Sequence, residues 1–243
     1  MIRSILVILL LVLYGIFSIV ALPILALVGK INKTARDKAT FTIVIATFKM
    51  ILFLSGIKII VKGKEKIPTD CAVLYVGNHR SYFDIVSLYT IIAPLAGFVA
   101  KVEMKKVPLL NIWMKYMNCL FLDRNDIRQG LKVILEGIEA MKSGISMCIF
   151  PEGTRNKAEN EAELLPFKEG SLKLAEKSGS PIVPVALHNT INCFEKTFPR
   201  IRKTTISIEF GEPIYMDKLE KEERKFLGAK VRDIIIEMLK NTN

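Results

Sequence analysis

The chain is expected to form an α/β fold, a mixed and mostly parallel sheet flanked by helices. Three observations predict this. Short runs rich in β-branched and apolar residues alternate with longer amphipathic stretches, the pattern of strands joined by helical crossovers. At 243 residues the chain can hold one ordinary α/β domain plus an N-terminal appendage. Residues 4–28 carry no charge, and at ~1.5 Å rise per residue they are long enough to cross a hydrocarbon core of ~30 Å. The expected organisation is therefore residues 1–57 as N-terminal hydrophobic membrane-association helices and residues 58–243 as the α/β domain.

The N-terminal run has only Arg3 before it and is too long for a signal peptide. Pro23 would kink it near its end, and Gly15 interrupts it. A second apolar stretch, residues 41–60, is broken by Lys49, Gly56 and Lys58. Two geometries fit the pair. Either the first segment spans the membrane and the second lies on its surface, or both form a hairpin dipping into one leaflet. A third reading makes residues 41–60 a core helix. Lys30, Lys33, Arg36 and Lys38 between the segments favour the cytoplasmic side for the remainder.

Residues 59–61 begin β structure, punctuated by Gly63 and Pro68. Residues 72–76 are apolar on both faces, as in a buried strand, and end at Gly77-Asn78. Ser81 caps a helix from Tyr82 to about Ile92. Residues 97–101 read as a strand. Pro108 opens a helix to about Met117, since proline is tolerated in a first turn. Strand 119–122, helix 127–141 and strand 146–150 follow. Residues 156–166 are a polar loop, and residues 170–176 resume helix. In strand 182–187, Pro184 argues for an edge or a bulge. Residues 204–210 alternate as a strand, and Asp217 caps a charged amphipathic helix to about Lys240.

Half of the residues are hydrophobic (51%) and the net charge is +11, with a mean hydropathy of +0.34. Such a surplus of cations favours anionic partners: acidic headgroups, phosphorylated substrates or nucleic acid. No basic block with interleaved aromatics stands out and there is no zinc-finger spacing, so no nucleic-acid partner is expected. Cys71, Cys119, Cys148 and Cys193 form no CxxC pair. They point to a reducing compartment without disulfides or a metal site. Two histidines leave little for a His-rich metal centre.

One of those histidines, His79, falls in the turn between the 72–76 strand and the next helix, where α/β folds place their chemistry. Asp84, in the first helical turn, can reach back to it. A carboxylate that accepts from one ring N–H leaves the other nitrogen free to take a proton from a hydroxyl. Ser81-x-x-Asp84 is equally a capping box, and spacing alone does not choose. His188, the other histidine, reads as structural or exposed. Trp113 reads as packing or as an interfacial anchor. The Met and Leu residues of helix 108–117 line either the core or an apolar groove.

Four blocks carry a resemblance. Asn78-His79-Arg80-Ser81-Tyr82-Phe83-Asp84 matches the NHxSxxD block of the glycerolipid acyltransferases, and Phe150-Pro151-Glu152-Gly153-Thr154-Arg155 matches their FPEGTR block. Lys101-Val102-Glu103 and Phe121-Leu122-Asp123-Arg124 resemble the intervening block, and residues 181–186 resemble the fourth. Met104 and Asp123 depart modestly from the usual pattern. The chain resembles in particular the bacterial 1-acyl-sn-glycerol-3-phosphate acyltransferases. The resemblance implies transfer of a fatty acyl group from acyl-carrier protein or coenzyme A to the 2-hydroxyl of lysophosphatidic acid at the bacterial cytoplasmic membrane, on its cytoplasmic face. It implies no cofactor, the acyl thioester being a co-substrate. His79 and Asp84 are then the catalytic pair. Arg155, Arg124 and Lys101 hold the substrate phosphate, while Glu152, Gly153 and Thr154 line the substrate site, with Glu152 against glycerol or bracing Arg155. Other phosphorylated or lyso-lipid acceptors, a thioesterase and a non-catalytic membrane-binding protein are the competing functions.

Overall fold

The computed structural model describes residues 1–92, 95–123 and 125–241. Two long helices come first, α1 (Ile2–Ile31) and α2 (Lys33–Ser55). Asn32 separates them and caps α2, its side chain accepting from Ala35 N. Gly56 stops α2 in the left-handed conformation, with φ 68°. The chain then forms β1 (Lys58–Lys62), β2 (Leu74–Gly77), α3 (Tyr82–Tyr89), β3 (Ala96–Lys101), α4 (Leu110–Tyr116), β4 (Leu120–Leu122) and α5 (Ile127–Lys142). It closes with β5 (Ser146–Ile149), α6 (Lys173–Ser178), β6 (Ile182–His188), β7 (Thr205–Phe210), α7 (Lys221–Lys225) and α8 (Leu227–Lys240).

Among the described residues the strands form one sheet in the order β1-β7-β6-β2-β5-β3-β4. The expected mixed, mostly parallel sheet is found. β6, β2, β5, β3 and β4 run parallel, and β7 joins β6 antiparallel with β1 parallel to it. Alternate strand residues face opposite layers. Tyr75, Phe98, Cys148, Val183 and Val185 pack with α1–α4. Leu74, Val76, Met147, Ile149 and Ile182 pack with α5, α6 and α8. The chain leaving β2 crosses to β3 through α3 on the first layer, and that leaving β5 crosses to β6 through α6 on the second. The adjacent ends of β2 and β5 thus diverge, which opens a crevice at the carboxyl edge.

Several local expectations are corrected. Pro184 lies in an interior strand, not an edge. Its carbonyl accepts from Gly211 N at 2.8 Å, so its nitrogen faces the same neighbour. There β7 has already ended at Phe210, and no ladder donor is missed. The C-terminal helix is broken at Phe226, and its first segment is capped by Glu220 in a box with Glu223 rather than by Asp217. α3 stops at Tyr89, and α4 begins two residues after Pro108. The stretch 41–60 divides between α2 and β1, which Gly56 permits.

α1 presents two unlike faces. Ser4, Val7, Ser18, Ala21, Leu22 and Leu25 are buried at helical spacing. Ser4 Oγ accepts from Ile201 N at 2.9 Å, and Ser18 Oγ accepts from Trp113 Nε1 at 2.9 Å. Trp113 is therefore a packing residue. The opposite face, including Ile5, Ile8, Leu9, Val12, Ile16, Ile19 and Val20, is exposed. Phe41 and Val44 of α2 join the core beneath α1, each contributing roughly 1.5–3 kcal/mol by burial.

Candidate functional site

β2 delivers Asn78 and His79 to the crevice. Asn78 is fully buried, and its amide clasps Leu187 of β6 through both backbone groups at 2.8 and 3.0 Å. That clasp fixes where His79 leaves the sheet. The His79 ring stacks on Phe150, the residue after β5, with centroids 4.3 Å apart and planes at 11°. Its Nδ1 lies 2.8 Å from Asp84 Oδ2. The same Oδ2 accepts from Arg80 N at 2.6 Å and Ser81 N at 2.7 Å, while Ser81 Oγ accepts from Phe83 N. The His79 contact and the capping box therefore coexist on one carboxylate oxygen. An anionic acceptor bonded to Nδ1–H orients the ring and leaves Nε2 unprotonated as a base.

The turn after β5 supplies the second wall. Gly153 has φ 76°, a conformation that strains any L side chain, and its N–H closes the turn on Phe150 O at 3.0 Å. Thr154 is exposed. Glu152 is 5% exposed and engaged by the chain itself. Oε1 accepts from His79 N at 2.9 Å, and Oε2 accepts from Asn156 Nδ2 and Leu165 N, both at 3.0 Å. Burial raises its carboxyl above the usual range, and these donors oppose that rise. Glu152 thus braces the backbone of His79 rather than the Arg155 guanidinium. Glu152→Gln turns an amide NH₂ toward existing donors, and each donor left unsatisfied costs about 1–3 kcal/mol. A lower Tm together with reduced kcat is the expected result, read by thermal unfolding and initial rates.

Arg155 stands beside the first turn of α3. Its guanidinium carbon lies 3.9 Å from the Tyr82 ring centroid and Nη1 lies 3.2 Å from Glu195 Oε1. Glu195, which the sequence reading missed, also accepts from Ser81 Oγ at 2.6 Å and Tyr82 N at 2.8 Å. It satisfies the free amide at the helix start and ties Arg155 to the turn that carries His79. No local signal marked it, because its partners lie far away in sequence. Lys101 is exposed at the end of β3. It shares the carboxyl edge, with β5 between β3 and β2. Arg124 lies outside the described residues. Arg80, also missed, is 3% exposed and donates to Ala158 O, with Nη1 3.8 Å from Glu161. Glu161 in turn holds His188 Nδ1 at 3.0 Å. His188 is a buried structural residue that straps the 156–165 loop to β6.

Comparisons with known proteins find relatives over most of the chain. A family model described as Acyltransferase matches residues 58–188. A 1-acyl-sn-glycerol-3-phosphate acyltransferase from Borreliella burgdorferi is 36% identical over 203 residues, 83% of this chain and 80% of that protein. The Saccharomyces cerevisiae protein of that name is 29% identical over 239 residues, 98% of this chain and 77% of the other. The crystal structure of the 1-acyl-sn-glycerophosphate (LPA) acyltransferase PlsC from Thermotoga maritima superimposes with a TM-score of 0.74, at 26% identity and 99% coverage of both chains.

Proposed function

Because the chain belongs to the Acyltransferase family, we propose that it transfers a fatty acyl group from a thioester to the 2-hydroxyl of lysophosphatidate, giving phosphatidate. The observation that carries the reading is the His79–Asp84 contact of 2.8 Å in the β2–β5 crevice, with Arg155 tethered to the same turn. His79 Nε2 removes the hydroxyl proton as the oxygen attacks the thioester carbonyl. The tetrahedral intermediate expels the thiolate, and the imidazolium returns the proton to sulfur. Asp84 stabilises the imidazolium between the two steps. No enzyme nucleophile is required, and the leaving thiol is that of acyl-carrier protein or of coenzyme A.

Arg155 takes the acceptor phosphate through its planar fork, Lys101 adds positive charge at the same edge, and Arg124, two residues beyond β4 in sequence, is the third cation of the proposal. Glu195 acts as a positioning residue that holds Arg155 over Tyr82. Arg155→Ala is expected to raise KM for lysophosphatidate about 10–100-fold, on the scale of about 1.5–3 kcal/mol for a charged hydrogen bond, with a smaller change in kcat. Glu195→Ala should raise it several-fold. An equal response with monoacylglycerol, which lacks the phosphate, refutes both assignments. The activity itself is tested with purified protein offered lysophosphatidate, glycerol 3-phosphate and lysophosphatidylcholine against acyl-carrier-protein and coenzyme A donors. Products are identified by mass. Phosphatidate is the expected product, and thioester hydrolysis without transfer refutes the reading.

Both N-terminal helices are long and apolar enough to cross a membrane, yet a different placement accounts better for their contacts. α1 is tied to the domain near both ends and the middle, through Ser4, Ser18 and Leu25. A helix of this length runs ~45 Å. Arg3 lies at one end, and Lys30, Lys33, Arg36 and Lys38 lie at the other, so neither end suits the bilayer centre. The hairpin lies along one leaflet with its exposed face in lipid. The cytoplasmic face is favoured by the net charge of +11, which suits an anionic leaflet, and by four free cysteines.

A further inference from the structure

We propose that residues 195–203, within the loop joining β6 to β7, are a second membrane contact that docks on anionic lipid headgroups beside the apolar hairpin. The proposal rests on the membrane placement above. Within this loop Lys196, Arg200, Arg202 and Lys203 are all exposed, and among the described residues none of the four has a carboxylate within ion-pair distance. The acid of the segment, Glu195, is engaged by Arg155, Ser81 and Tyr82. Local positive charge is therefore uncompensated.

Position turns that charge toward lipid. Ile201 and Cys193 pack in one apolar cluster with Val7 of α1, Ile51 and Leu52 of α2 and Phe83 of α3. Ile201 N donates to Ser4 Oγ at 2.9 Å. The loop is thus fastened to the hairpin end where Ile2 (75% exposed) and Phe53 (78%) project. Phe198, 73% exposed, extends outward from an edge-on contact with half-buried Phe194 at 5.4 Å. Cations flanking an exposed aromatic, continuous with a bare apolar helix face, suit the headgroup–acyl boundary rather than open water. Each cation near such a surface strengthens binding about fivefold. The same loop holds Glu195 against Arg155, so the lipid-facing surface continues into the proposed acceptor site.

The test places tryptophan probes in the full chain, reconstituted in vesicles holding equal mole fractions of brominated phosphatidylcholine or brominated phosphatidylglycerol. The parent protein, whose one tryptophan is Trp113, supplies the baseline. Phe17→Trp reports on the hairpin and Phe198→Trp on the loop. The probe at position 17 should be quenched in both lipids. The probe at position 198 should be quenched at least twofold more by phosphatidylglycerol. That preference should vanish at about 0.5 M salt, where screening is nearly complete beyond a few Å. It should vanish likewise when Lys196, Arg200, Arg202 and Lys203 are all changed to Gln. Quenching at 17 without quenching at 198, or equal quenching at 198 by the two lipids, overturns the loop proposal and leaves the hairpin reading intact. No quenching at either position overturns the membrane placement itself.

Discussion

Replacing His79 with alanine is expected to lower kcat by about 10²–10⁴-fold, the usual worth of a positioned general base. KM for both substrates should change little. The ring has one nitrogen tied to Asp84 and one face on Phe150. Its loss removes the base without disturbing the Asn78 clasp, the Glu152 brace on the His79 backbone, or the α3 cap. The folded state should therefore persist, as circular dichroism and thermal unfolding would show. Unchanged turnover in a folded His79→Ala variant would remove the imidazole from the chemistry and return His79 to a packing role.

Asp84→Asn should have the second largest effect, a fall in kcat of about 10²-fold or more with modest loss of stability. Oδ2 receives two backbone N–H groups besides the histidine. Those donors keep the amide oxygen where the carboxylate oxygen stood, so the cap survives. What disappears is the negative charge proposed to stabilise the imidazolium. Oδ1 is buried and has no partner among the described residues, so an NH₂ there adds about 1–3 kcal/mol of unsatisfied cost. A purely structural Asp84 would lower Tm and leave kcat of the folded protein in place. An orienting Asp84 lowers kcat far more than it lowers Tm, so measuring both separates the two roles. Normal activity in the folded variant would exclude Asp84 from the mechanism.

The pairing of His79 with Asp84 was legible because it is local. Five residues spanning a turn and a helix start bring the two groups together whenever Ser81 caps the helix, and both the cap and the turn residues are written in the sequence. The cap and the dyad looked like alternatives only because a linear reading assigns each oxygen one task. Glu152 was legible as a block residue but not as the brace of His79, since that depends on β2 and β5 being neighbours. Pro184 misled for a similar reason: a missing donor is tolerated inside a sheet when the neighbouring strand has already ended.

The residues by themselves determined the alternation of strands and helices, the apolar N-terminal pair and the order of the chemical blocks, because periodicity, capping and turn propensity act over a few residues. Tertiary structure alone decided that Glu195 meets Ser81 across 114 residues of chain. It also decided that Trp113 fastens α1 at Ser18, and that one face of α1 is covered while the other is bare. Such contacts come from the packing of elements distant in sequence, and a carboxylate that will be held leaves the same mark in a sequence as one that will face water.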